Sequence, residues 1–446
     1  MENKIHLNQH PLRAALHNEI HARPPESMHA PLALSNLVML CPASQRAASR
    51  AHLVALLRDH HLPLPDDEAT HFRMDLGPFR LRWELHTEFV SWTFVRLLTD
   101  LPQGGQDPES ATDVVPQDWL AQLPGQCLSS VHLWALPRGG IDALAMARQV
   151  LHEDQLVASS VAGGAAEVYT DFAIHADGFS RMLLFVDPLK STVEVMAGKG
   201  PHYMTPRRLG RLVQRLMEIE TYRMAALLGL PTAREALPLL SAAERELAEL
   251  AGAIRSATRN EEPQLLDRLT RLAGQVESHY AGTHSRFSAS SAYFELVDKR
   301  IRDISESRLV GMQTISEFMD RRLTPARSTC EWVTRRQDAL SQRVSRMSNL
   351  LRTRVEIEQQ ESSQALLATM NQRQDLQLKL QATVEGLSVA AITYYIVGLI
   401  SYLAKGANNL GWPLSAEVTA ALAVPVVAGL VWWSLRKLHK RIVGAH

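Results

Sequence analysis

Two apolar runs near the end of the chain constrain it most. Gly386 to Ala404 reads GLSVAAITYYIVGLISYLA, Val418 to Leu435 reads VTAALAVPVVAGLVWWSL, and neither holds a charged residue. As a helix, a run of this length covers about 30 Å, the thickness of a bilayer's hydrocarbon core. The link from Lys405 to Glu417 holds Gly, Asn, Trp and Pro, the residues of turns and interfaces. After Trp432 and Trp433 come Arg436, Lys437, Lys440 and Arg441. Aromatic rings sit at membrane interfaces and basic residues stay inside. The expectation is a transmembrane hairpin over 386–446, with spans at 386–404 and 418–435, a basic tail and both termini cytoplasmic. The alternative is two buried helices of a soluble protein.

Ahead of the first run, Ala326 to Glu385 contains neither Pro nor Gly. Rich in Gln, Arg, Glu, Leu and Ala, it has high helix propensity and would extend about 90 Å if unbroken. Apolar residues recur in steps of three and four at Leu340, Val344, Met347, Leu351 and Val355, then at Leu366 and Met370, and again at Leu376, Leu380, Val384 and Leu387. That seam predicts a coiled-coil-like stalk within a helical region over 201–385. Its partner is either an earlier helix, for which Ser290 to Leu323 qualifies by pattern, or a neighbouring subunit. No breaker precedes Gly386, so the stalk is expected to run directly into the first span.

Residues 1–200 read as an α+β head. Alternation predicts strands at Phe79–Leu85, Glu88–Phe94, Ser129–Leu136, Glu167–Ile174 and Ser180–Val186, with a hairpin turn at His175-Ala176-Asp177-Gly178. Helical patterns lie at Pro31–Asp59, Ile141–Glu153 and Met204–Leu228. The formal net charge of +0 leaves no electrostatic case for nucleic acid. Cys41, Cys127 and Cys330 lack metal-ligand spacing and fit free thiols in a reducing compartment. Met1 to Arg13 has no apolar segment of the signal-peptide kind.

Few residues suggest chemistry. His10, His17, Glu19 and His21 crowd the N-terminal stretch, either for acid–base work or as an arm pinned by ion pairs. Glu84, His86 and Glu88 would share one side of a strand, as a hydrated divalent-cation site or as a polar exposed face. Arg207, Arg211 and Arg215 share a helix face, open to a phosphate or lipid headgroup or only to solvent. There is no GxxxxGK[ST], GxGxxG after a strand, HExxH or GxSxG.

The stretches HPLR…NEIHARP (His10 to Pro24) and TVEGLSVAAITYYIVGLISYLAKG (Thr383 to Gly406) resemble a bacterial family of uncharacterised membrane-anchored proteins. The resemblance spans nearly the whole chain. It implies an anchor in a bacterial inner membrane and supplies no activity. The architecture also resembles CorA-type magnesium channels, homopentamers whose first span lines the pore. That resemblance implies a homo-oligomer, a divalent cation such as magnesium, and pore positions at Ala391, Tyr394, Gly398, Ser401 and Asn408. Gly406-Ala407-Asn408 stands where such channels have Gly-Met-Asn, so the Met is missing, and the outer loop keeps only Glu417 of its acidic charge. The small residues of the stripe serve plain helix packing equally well. Three expectations remain open: a CorA-like cation channel, a membrane-tethered scaffold, and a tethered enzyme using His10, Glu19, His21 or His86.

Overall fold

The computed structural model describes residues 10–14, 16–17, 25–67, 69–99, 107–139, 141–187, 203–258, 260–408 and 413–443, with side chains up to 437. In order these form β1 (Leu32–Leu40), α1 (Arg46–Asp59), β2 (His71–Asp75), β3 (Arg80–Leu85), β4 (Phe89–Leu97), α2 (Gln117–Leu120), β5 (Gln126–Pro137), α3 (Ala143–Val150), β6 (Val157–Val161), β7 (Ala166–Thr170) and β8 (Ser180–Val186). Then come α4 (Pro206–Leu227), α5 (Gly229–Ser256), α6 (Glu262–Asp303), β9 (Ser307–Arg308), α7 (Ile315–Asn408) and α8 (Ala416–Val443). The chain divides into two units. One is Met1–Arg255 with Asp267–Arg346, and the other is Ser256–Leu266 with Met347–His446.

The first unit is built on a nine-stranded sheet in the order β2-β3-β4-β1-β5-β8-β7-β6-β9. All neighbours are antiparallel except β5 and β8, which run parallel. Strand alternation sends successive side chains to opposite faces. On β5, Val131, Leu133 and Ala135 join a core with Leu212 and Leu216 of α4, Phe294 and Val297 of α6, and Met319 of α7. Trp134 and Leu136 of the same strand join a second core with Leu53 and Leu57 of α1 and Val150 of α3. The head is an α+β fold with helices on both faces of a mixed sheet.

The helix expected over Pro31–Asp59 is half wrong. Leu32–Leu40 is the strand between β4 and β5, and the helix begins only at Arg46. LALSNLVML is apolar for both faces, because helices cover both sides of a central strand. Such a run has no period two to distinguish it from a buried helix. The turn at His175–Gly178 is present: Gly178 N–H donates to His175 O (2.9 Å), and Gly178 takes φ +83°. The last strand, β9, arrives from residue 307, well past the range expected for the head.

Helix α7 is unbroken from Ile315 to Asn408 and contributes Ile315–Arg346 to the first unit. There its seam is covered: Val333, Leu340 and Val344 are buried. Arg336 bonds Glu244 of α5 (2.6 and 2.9 Å), and Gln337 donates to Thr283 of α6 (2.9 Å). In the second unit Leu351 is buried, and Arg354 pairs with Glu262 (2.5 Å). From Leu366 onward the seam is exposed. Within this unit α7 and α8 are long and apolar enough to cross a membrane, and few residues of their apolar stretches are buried.

Candidate functional site

One face of the sheet changes character along its width. Under α4, α6 and α7 the β5–β8 half is apolar, whereas the β3-β4-β1 half mixes apolar side chains such as Leu34 and Val95 with polar ones. Period two puts Arg80, Arg82 and Glu84 on one side of β3. The register sets Arg82 beside Thr93 of β4, and Thr93 beside Asn36 of β1. Asn36 Nδ2 donates to Ser91 Oγ (3.0 Å) and Thr93 Oγ1 (2.8 Å), so the buried amide is partnered inside the sheet. Above this floor lies a cavity of about 270 Å³. Val213, Gln214, Met217, Glu218 and Thr221 of α4 form its wall, with Tyr222, Arg300 of α6 and the Glu26–Met28 segment at its margin.

Three arginine–carboxylate pairs ring the cavity. Arg82 pairs with Glu84 (2.6 Å), Arg80 with Glu26, and Arg300 with Glu218. Each lies in partial burial, where ion pairs are screened less than at the surface. The arrangement offers charges of both signs, an amide and hydroxyls beside the apolar side chains of Leu34, Leu81, Phe89 and Val95. Pockets for small ligands have this make-up: apolar walls with a few fixed polar groups. Gly210 sets the entry of the Glu26 segment. A Cβ there would stand 1.6 Å from Glu26 O, so only glycine lets α4 approach this backbone. Met28 N–H donates to Pro206 O (3.0 Å) at the same junction.

The three residues expected as a cation site do not lie along one strand. β3 ends at Leu85, and His86 N–H bonds Phe89 O (2.8 Å) to close a turn into β4. Glu84 and His86 line the cavity, with the His86 ring stacked on Phe89 at 4.5 Å. Glu88 accepts from Arg286 (2.6 and 2.7 Å) and from Tyr293 Oη (3.0 Å). Burial, then the Glu88 charge, holds the Tyr293 hydroxyl above the usual tyrosine range, so it stays a donor. Glu84 and Glu88 thus already have arginine partners.

Of the N-terminal set, Glu19 and His21 lie outside the described residues. His10 and His17 are exposed, and His10 Nδ1 accepts from Leu12 N–H (3.2 Å). Arg215 donates to Asp303 O (2.8 Å), so the arginine row on α4 is not wholly given to solvent. Ala391, Tyr394, Gly398 and Ser401 sit on α7 within its apolar stretch, and Asn408 is its last residue. The deeply buried side chains there are Thr393 and Ala404, outside that stripe.

Reading the sequence missed Asn36, Ser91 and Thr93. The available signal was a polar residue at alternate positions of otherwise apolar strands, Ser-Trp-Thr in β4 above all. Among the described residues, the cluster of metal-ligand type is His152, Asp171 and His175.

No curated protein and no solved structure matches the chain. A family model does match, over residues 8–442, which is nearly the whole chain. The chain belongs to that family, described as "Protein of unknown function (DUF3422)".

Proposed function

We propose that the chain is a membrane-tethered binding protein whose head takes a small zwitterionic ligand in the cavity between the β3-β4-β1 face and α4. The carrying observation is the cavity itself. Its floor joins Asn36, Ser91 and Thr93, and its rim alternates arginine with carboxylate. A ligand bearing both signs exchanges with those pairs without leaving a buried charge uncompensated, which would cost several kcal/mol. At about 270 Å³ the cavity stands at the small end of ligand pockets. The two apolar helices form the anchor, in a bacterial inner membrane with both termini cytoplasmic, which the Trp432–Trp433 pair and the basic tail support.

The test is thermal unfolding of the full chain in lipid nanodiscs against the free amino acids and related small zwitterions. A ligand at 100 times its Kd stabilises the head by about 2.7 kcal/mol. The expected result is a raised melting temperature with at least one compound, abolished in the double variant Asn36→Leu, Arg82→Leu. No shift with any compound, or a shift the variant retains, would overturn the reading.

A second reading is favoured by one observation: Leu366, Met370, Leu376, Leu380 and Val384 are exposed ahead of the first apolar run. An apolar row of this kind in water supports self-association through α7, as a coiled coil of copies. A channel of the CorA kind is one such assembly, with Ala391, Tyr394, Gly398 and Ser401 toward its axis. Light scattering of the solubilised chain separates a ring-sized oligomer from a monomer, and magnesium flux into vesicles separates a channel from a scaffold.

A further inference from the structure

His152, Asp171 and His175 come from two segments that the sheet brings together, the last two lying four residues apart in the β7–β8 connection. His152 follows α3, Asp171 follows β7, and His175 opens the turn into β8. Their ligand atoms lie within 4.8 Å of one another. Asp171 Oδ2 receives the His152 backbone N–H (3.0 Å) and stands 2.9 Å from His152 Nδ1 and 2.8 Å from His175 Nε2. Its other oxygen takes the Ala173 N–H (3.1 Å). The carboxylate is thus fixed by the backbone on both sides and is fully buried.

Three nitrogens converge on one carboxylate oxygen while the other oxygen has one partner. A plain hydrogen-bonded clamp would spread two imidazoles over both oxygens, since each offers about two lone pairs. The rings stack nearly parallel, with 4.3 Å between centroids and 14° between planes, and each presents one nitrogen to the same carboxylate oxygen. We propose that this cluster is a binding site for a divalent transition-metal ion, held by His152 Nδ1, Asp171 and His175 Nε2.

The geometry suits such an ion. Zinc and its neighbours bind imidazole nitrogen and carboxylate oxygen at about 2.0–2.2 Å, so ligands of a tetrahedral shell stand roughly 3.4 Å apart. The nitrogens here are 2.8 and 2.9 Å from the oxygen, so a shift of about half an ångström, with the half-exposed His152 ring turned out of the stack to aim its lone pair, opens the shell. The donor set, two imidazoles and one carboxylate, selects zinc, cobalt, manganese or iron(II) over magnesium and calcium, which take oxygen.

The local charge agrees. Arg181 is paired with Asp107 (3.0 Å) and Asp177 (3.1 Å), and Arg148 with Glu153 (2.9 Å). These nearby arginines are thus engaged by other carboxylates, and among the described contacts Asp171 faces only the two imidazoles and backbone N–H groups. His175 is nearly buried while His152 is 48% exposed, so the remaining coordination positions open to solvent on the His152 side.

The experiment uses the full chain in detergent, stripped with a chelator and dialysed. Cobalt(II) is titrated while its visible absorption is followed, and zinc content is measured after desalting. The expected result is about one ion per chain, with affinity lowered at least tenfold in both His152→Ala and His175→Ala and with millimolar magnesium failing to compete. Circular dichroism checks that each variant is folded. His152, half-exposed, is the variant that keeps the test decisive if His175→Ala unfolds. Absence of uptake by the wild type would overturn the proposal. So would uptake unchanged in folded His152→Ala, and the cluster would then be a hydrogen-bonded clamp alone.

Discussion

Five tryptophans divide the molecule. Trp83, Trp92 and Trp134 in the sheet are 0–2% exposed, while Trp432 and Trp433 on α8 are 53% and 58% exposed. In the sheet the indole nitrogens of Trp83 and Trp134 donate to Ser49 Oγ (3.1 Å) and Glu109 O (2.9 Å). On α8 each ring lies under a cation, Arg436 at 4.7 Å and Lys437 at 4.9 Å. The head finishes its own apolar burial. The C-terminal helices leave theirs exposed, and both are long and apolar enough to cross a membrane. At about 25 cal/mol per Å² of apolar surface removed from water, the first group stabilises the fold of the chain, and the second is left for whatever apolar surroundings those helices enter.

The sharpest way to break that contrast is to remove one ring from each side. Trp83→Ala empties a closed site beside Trp92 and strips Ser49 of its partner. It is expected to cost about 3–5 kcal/mol in urea unfolding. Trp433→Ala should leave the head's unfolding midpoint in place and weaken recovery of the chain with lipid vesicles. Equal destabilisation of the head by both would show that α8 is part of the folded core after all.

Acid probes the head next. Burial pushes the His132 imidazole down to about 4 from an ordinary 6.5, against smaller opposing effects of Asp177 and Asp113. Its Nδ1 sits 2.7 Å from Ser35 Oγ, and its ring stacks on Phe179 at 3.9 Å. The unfolded chain therefore binds this proton first as pH falls. Stability is full above about pH 6.5 and declines toward pH 4, by up to about 3 kcal/mol at ~1.4 kcal/mol per pH unit. In His132→Gln the slope between pH 6.5 and 4 should flatten. A slope that survives the substitution would assign the acid sensitivity elsewhere.

How much of this was legible depended on where each signal resides. The apolar helices and the unbroken course of α7 into the first run are local properties of composition, and both were readable. The strands that alternate, β3 and β4 among them, were readable too. β1 was not, because a strand covered on both faces has no period. The cavity was hidden for a related reason: Asn36, Ser91 and Thr93 acquire meaning only once register aligns them with Arg82. Glu84, His86 and Glu88 drew notice by proximity, and the hairpin then separated Glu88 from the other two. Asp171 and His175 lie four residues apart in one connection, but the cluster gave no signal in one dimension because His152 joins them only after the sheet folds. His175 was readable only as a turn residue.

The smallest expected effect compares two helical glycines. On α4 a methyl at Gly210 meets Glu26 O at 1.6 Å, and on α7 a methyl at Gly398 meets nothing within 4 Å. Gly210→Ala must push the 25–28 segment off α4, at about 1–3 kcal/mol, and with it Glu26 from Arg80 at the cavity rim. Any ligand-induced rise in melting temperature should shrink in the same variant. Gly398→Ala removes backbone freedom from a helix interior and should be neutral or stabilising by up to about 1 kcal/mol for a single chain in lipid. If it instead dissociates an oligomer in light scattering, a second copy covers Gly398, because no group of the same chain stands close enough to clash. The two glycines then separate what this chain buries by itself from what it buries against another.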